Sequence, residues 1–369
     1  MSGEPLPLLT RLGNYELVRL LAQGGMADIY LARQTGLDRL VAVKVLSGPR
    51  ANDPESAALF RDEARLVGML SHGNLAAVHE VAADAGVHFL AMEYVAGCDL
   101  RELLAAAQQA EAAIPFDAAI AIVSAAAAGL DHAHRRCGPD GRPLHLVHRD
   151  VSLSNIMVGH DGSVKVIDFG IARSQVSMHH TNPGIVRGKA SYMSPEQCVG
   201  DAVDLRTDVF ALGVVLYELT TGRRCFLGNS DFERMLAVVQ GNYVPPTELF
   251  PDFPAALDGV IRTALAADPA GRYASCAAML EALGRACELH GVAPSAAAVS
   301  GLMRTLFGAP VPAVECIDAT EVVARAEPTV VMTRPRRFAR GTESDLWEDE
   351  APTRGRRSLP RMMWSPLAA

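Results

Sequence analysis

Asp150 and Asn155 stand five residues apart in His148-Arg-Asp150-Val-Ser-Leu-Ser-Asn155, and Asp168-Phe-Gly170 follows Asn155 by thirteen. Few other features constrain the fold as tightly. A tight loop can aim Asp150 and Asn155 into one site. The apolar runs Asn155–Val158 and Val164–Ile167 then read as two short strands. Asn155 and Asp168 therefore come from adjacent strand ends. Hard oxygens in that arrangement suit Mg²⁺, which usually shares them with phosphate. Upstream, Val41-Ala-Val-Lys44 places an ammonium on a buried strand. Such a lysine needs an acid partner, and Glu63 on the following helix is the candidate. Lys44, Lys165 and Lys189 are the only lysines among 34 basic residues, so each position carries weight.

The chain around these residues changes character along its length. Strands are predicted at Tyr15–Leu21, Ala27–Arg33, Leu40–Leu46 and Val87–Tyr94, with a helix over Ser56–Leu70. Helical periodicity then takes over. It covers Leu100–Ala110, Phe116–Cys137, Asp208–Thr221, Phe232–Gln240, Leu257–Ala267 and Ser275–Leu289. Residues 294–307 form one more amphipathic helix. The simplest architecture is α+β, with a small β-rich lobe followed by a larger, mainly helical one.

Composition narrows the function. A net charge of −8 argues against a nucleic-acid binder, and 5% aromatics leave little for base stacking. Seven cysteines without a Cys-x-x-Cys pair read as reduced thiols in a cytoplasmic protein. The first sixteen residues lack a signal-peptide core. No apolar run is long and uncharged enough to span a membrane; the best candidate, Ala112–Leu130, contains Pro115 and Asp117. The histidines, among them His132 and His134, have no metal-ligand spacing.

Taken in order, VAVK, EA, HRDxxxxN, DFG and SPE resemble the eukaryotic-type serine/threonine protein kinases of bacteria. The resemblance covers about residues 15–288. It implies a bilobal kinase fold, with an N-terminal extension at 1–13 and a kinase domain at 14–288 divided near residues 94 and 95. A helical extension at 289–309 and a disordered tail at 310–369 follow. It implies ATP and Mg²⁺ as cofactors and proteins as substrates, with autophosphorylation; a pseudokinase scaffold is the alternative.

The resemblance also assigns roles. Asp150 orients the substrate hydroxyl. Lys44, held by Glu63, grips the α- and β-phosphates. Asn155 and Asp168 hold the metal. Leu21, Ala22, Gln23, Gly24 and Gly25 cover the phosphates. Ile29, Ala42 and Met157 sandwich the adenine, Glu93 and Val95 offer it backbone groups, and Met92 is the gatekeeper. Val67, Val78, His148 and Phe169 stack as a spine anchored by Asp208. Glu196 pairs with Arg272.

Three departures from the family pattern stand out. The phosphate loop has Ala22 and Ala27 where the pattern has glycine. Ser152 stands where a lysine usually follows the catalytic aspartate. Lys189 replaces the usual threonine of the loop that receives the substrate. We read the last two as an exchange of roles, with Lys189 reaching the γ-phosphate and Ser152 supplying the bridging hydroxyl. Thr181, then Ser177, are the candidate activation phosphosites facing Arg149. In the tail, Thr320 and Thr329 are candidate autophosphorylated docking sites, and Ser358, after Arg354-Gly-Arg-Arg, is a candidate basic-directed phosphosite.

Overall fold

The computed structural model describes residues 11–24, 27–47, 53–169 and 190–309. They form two compact units. The first comprises residues up to 71 together with 76–94; the second comprises 72–75 and 95–309. The fold class is α+β, in the two lobes that the resemblance implies.

The first unit is an antiparallel sheet in the order β1-β2-β3-β4-β6-β5. Its strands are β1 (Arg11–Leu12), β2 (Tyr15–Gln23), β3 (Ala27–Gln34), β4 (Arg39–Leu46), β5 (Val78–Asp84) and β6 (Val87–Glu93). Residues opposite one another in a ladder share a face. Val41, Val43 and Val45 of β4 oppose Glu93, Ala91 and Phe89 of β6. On that face Val41, Val43, Val45, Ala91 and Phe89 join Leu12, Tyr15 and Ala32 in a core. Ala42 and Lys44 lie on the other face, in rows with Leu31 and Met92 and with Ile29 and Leu90. The alternation of LVAVKVL therefore fixes which way Lys44 points. Helix α1 (Pro54–Gly68) begins where Asp53 accepts a hydrogen bond from Ser56 N, and it packs on β5.

The second unit is mostly helical. It contains α2 (Leu100–Gln109), α3 (Phe116–His134), α4 (Pro195–Val199), α5 (Arg206–Thr221), α6 (Asp231–Gln240), α7 (Pro246–Leu249), α8 (Ala255–Ala264), α9 (Cys276–His290) and α10 (Ala296–Phe307). Among the described residues only α3 is long and apolar enough to cross a membrane, and most of it is buried in this unit. Every residue of α5 after Arg206 is buried, so this helix is the axis on which α3 and α8 pack. A second sheet, β7 (Gly97–Asp99), β8 (Ile156–Gly159) and β9 (Val164–Val166), is antiparallel in that order.

Candidate active site

In the first unit the β2–β3 turn is the phosphate-loop candidate. Ala22 opposes Ile29 and Gln23 opposes Asp28. Gly24 N donates to Ala27 O over 3.1 Å, and a Cβ on Gly24 would sit 2.7 Å from that oxygen. No side chain fits there without moving backbone. Ala22, by contrast, is an exposed strand residue whose methyl meets no such limit. Leu21 is half-buried beside it, and Gly25 lies outside the described residues. Lys44 on β4 and Glu63 on α1 are both half-buried. At the end of β6, Met92 is buried opposite Ala42. Glu93 N donates to Ala77 O over 2.8 Å, so the backbone group Glu93 can offer a ligand is its carbonyl.

The second unit holds the His148–Asn155 loop in a continuous hydrogen-bond network. Its hub is Asp208, in the first turn of α5 and fully buried. Asp208 Oδ1 accepts from Arg149 N at 2.9 Å, and Oδ2 accepts from His148 N at 2.8 Å. His134 Nε2 lies 2.7 Å from the same Oδ2. Burial alone would push this carboxyl up; the His134 hydrogen bond, the charges of His134 and His148 and the His148 N–H together hold it below the usual carboxylate range. Arg149 adopts φ +65°, a left-handed conformation that the paired N–H contacts hold in place.

The next links run toward chemistry. His148 Nδ1 lies 3.3 Å from Asp150 N and its Nε2 lies 2.9 Å from Ile167 O, so both ring nitrogens are tied to the loop ends. The His148 and Phe169 ring centroids lie 4.6 Å apart, with the rings tilted by 42°. Val67 and Val78, expected in the same stack, belong to the first unit. Asn155 Nδ2 donates to Asp150 O at 2.7 Å and to Asp150 Oδ2 at 2.9 Å. Asn155 O accepts from Ile167 N at 3.0 Å, which brings the residue before Asp168 beside Asn155. Asp168 itself has φ +52°. Met157 is half-buried on β8, opposite Asp99, and Val95 is buried ahead of β7.

Ser152 is buried, and its Oγ lies 3.0 Å from Ser154 Oγ. Its hydroxyl is thus engaged within its own loop. Lys189, Thr181 and Ser177 lie outside the described residues, as does the tail from residue 310.

Behind the loop, Arg272 Nη1 and Nη2 each donate to Glu196 at 2.8 Å in a bidentate pair. Thr207 Oγ1 adds a bond of 2.6 Å to Glu196, and the guanidinium lies over the Phe210 ring at 4.9 Å. Burial would raise the Glu196 pKa, but the bonds from Arg272 and Thr207 bring it down to about 2. Gln197 Nε2 donates to Arg149 O at 2.9 Å and ties α4 to the loop.

Two residues with work in this network escape sequence reasoning, His134 and Gln197. His134 shows in sequence only as one of several histidines on an alanine-rich helix. Gln197 has no local signature beyond its capping-box spacing from Ser194.

Residues 15–282 match the protein kinase domain family. The chain is 39% identical over 306 residues to a Myxococcus xanthus protein named tyrosine-protein kinase MasK, covering 82% of this chain and 47% of that one. As 82% of 369 residues is about 303, that alignment reaches α10 wherever it begins. Identity to serine/threonine-protein kinase PknB of Mycobacterium leprae is 39% over 270 residues, covering 72% of this chain and 42% of that one. For serine/threonine-protein kinase PrkC of Bacillus subtilis it is 36% over 261 residues, covering 71% and 38%. The chain thus spans less than half the length of these curated relatives. The crystal structure of the Mycobacterium tuberculosis PknI kinase domain superimposes with a TM-score of 0.57 at 30% identity, covering 77% of this chain and all of that one.

Proposed function

The chain belongs to the protein kinase family, and from that premise we propose that it transfers the γ-phosphoryl group of ATP to serine and threonine hydroxyls of proteins, itself included. The observation that carries this reading is the loop in which Asn155 donates to Asp150 while Asp208 holds His148 and Arg149. Phosphoryl transfer asks the protein mainly for positioning and charge stabilisation, and a loop braced at every backbone turn supplies positioning.

In this reading Asp150 takes up or orients the proton of the attacking hydroxyl. Asn155, by donating to Oδ2, fixes the direction of that carboxylate. Asn155 Nδ2 is committed to Asp150, and its amide oxygen accepts from Ser154 Oγ at 3.4 Å; that oxygen and the Asp168 carboxylate are hard donors of the kind that would suit Mg²⁺. The metal, when bound, neutralises phosphate charge. Lys44, steadied by Glu63, grips the α- and β-phosphates under the Leu21–Gly25 turn. Ile29, Ala42 and Met157 contact the adenine, with Met92, the Glu93 carbonyl and Val95 along its edge. Lys189 takes the γ-phosphate and Ser152 the bridging role. Phosphate on Thr181, or Ser177, would meet Arg149 and order its segment. Phosphorylated tail residues would dock partners. ATP as donor accords with the cytoplasmic location read from the sequence.

MasK's name favours a second reading, in which tyrosine is the acceptor. Phosphoamino-acid analysis of the autophosphorylated chain and of a mixed protein substrate decides between them. We expect phosphoserine and phosphothreonine to dominate; label found only in phosphotyrosine would replace the first reading with the second.

A further inference from the structure

Helix α10 lies beyond the span of the family match, yet it is built into the second unit. Val299, Leu302 and Met303 are buried, and Ser300 is 9% exposed. The helix packs on α2, α3 and β8. Ser295 caps its start by accepting from Ala298 N.

Its polar contacts converge on one place, the turn between β8 and β9. Ser300 Oγ donates to His160 O at 2.9 Å. Gly162, at φ +87°, approaches so closely that a Cβ there would lie 2.0 Å from Ala296 O and 3.2 Å from Ser300 N. The turn and the helix therefore meet backbone to backbone. His160 N in turn donates to Ala96 O at 3.0 Å, just ahead of β7. On β7 itself, Cys98 Sγ lies 3.9 Å from Met303 Sδ.

The other end of this hairpin carries the chemistry. Strand β8 starts immediately after Asn155, and β9 ends two residues before Asp168. Ile167 N→Asn155 O closes that end. Strands of four and three residues are marginal as an isolated hairpin. β7 pairs with β8 and α3 packs on β9, while at the turn itself the helix in contact is α10.

We infer that α10 is a positioning element for Asn155 and Asp168. By gripping the β8–β9 turn through Ser300 and Ala296, and the adjoining strand β7 through Met303, it fixes the hairpin whose opposite end presents the two oxygens. The inference rests on reading Asn155 and Asp168 as metal ligands. It makes a segment outside the recognised domain part of the machinery for binding metal-nucleotide.

The test uses full-length protein, wild type and the variants S300A and M303A. Amide exchange is measured across Ile156–Val166, and ADP affinity is titrated with and without Mg²⁺. Losing the Ser300 hydroxyl should speed exchange in the hairpin by roughly fivefold, as one net hydrogen bond is lost. M303A should speed it further. Both variants should weaken Mg²⁺-dependent ADP binding by about threefold or more, within that same hydrogen-bond range, and leave metal-free ADP affinity unchanged. A purely structural helix would lower both affinities together. If M303A does not fold, S300A alone decides. Unchanged hairpin exchange in S300A, or equal losses with and without Mg²⁺, overturns the inference while leaving the kinase reading intact. A wild-type protein whose ADP affinity ignores Mg²⁺ overturns both.

Discussion

Asp208 shows how one buried carboxylate can organise a reactive loop. It has no contact with the proposed reacting atoms, yet three donors converge on it from His134, His148 and Arg149. Sequence reasoning assigns Asp208 as an anchor by resemblance; it cannot supply His134, 74 residues away on another helix. Glu196 is a second buried carboxylate, and its ionisation is legible in stability. Its pKa falls from 4.5 to about 2 in the fold, so its contribution is present above about 4.5 and is lost as pH drops toward 2. A pH series of urea melts should show that decline in wild type and a flatter profile in Glu196→Gln. At neutral pH the variant should be less stable by about 3 kcal/mol, because Arg272 keeps a buried charge without its partner. Equal midpoints for the two proteins at pH 7 would refute the anchor. The role exchange of Ser152 and Lys189 is tested by a double-mutant cycle. Lys189→Thr and Ser152→Lys should each lose turnover, the first by roughly 10²–10³-fold, and the double variant should regain much of it. The contact of Ser152 Oγ with Ser154 sharpens this test. Independent losses would mean that the Ser152 hydroxyl serves its own loop.

Among the elements, those that repeat a strong pattern are the ones sequence reveals. The alternation of LVAVKVL specifies β4 and sends Lys44 to the face opposite the core. The apolar run of α3 is read three residues too long, because its end is set by the turn at Arg135 and Arg136 and not by hydrophobicity. Strand β5 is absent from the sequence reading. It is an edge strand with two alanines and largely half-exposed positions, so neither β-propensity nor alternation marks it. Strand β7 and helices α4 and α7 are too short to establish a period. Helix α10 is legible as amphipathic; which surface receives it is a tertiary fact. Cutting the chain after Gly308 should leave activity on a generic protein substrate within about twofold, since the removed tail carries little apolar periodicity. Cutting after Val292 exposes the surface that Val299, Leu302 and Met303 cover. That should cost on the order of 5 kcal/mol and lower the melting temperature clearly. A tail-free chain that loses activity, or an α10-free chain that melts as wild type does, would contradict this division.

At the scale of the whole molecule, family membership and fold stand on the match over residues 15–282 and on the two units. The proposed activity rests on how the residues are braced. Of the groups proposed to act on ATP, the first unit carries Lys44 and Glu63 and the second carries Asp150, Asn155 and Asp168. Sequence motifs alone are enough to propose all five, because each stands inside a short pattern of fixed spacing. The bracing that makes Asp150 usable comes from α3, α4 and α5, and only the folded chain brings these together. In the proposed reaction this bracing serves phosphoryl transfer, with Asp150 as the hydroxyl-orienting group. The most direct measurement is the initial rate of label transfer from γ-labelled ATP, with Mg²⁺, to a serine- and threonine-rich protein by wild type and Asp150→Ala, alongside their thermal melts. We expect transfer by the wild type, a loss on the order of 10²–10⁴-fold in the variant, and closely similar melts. A wild type that transfers no label under these conditions, or a variant that matches its rate, would contradict the account.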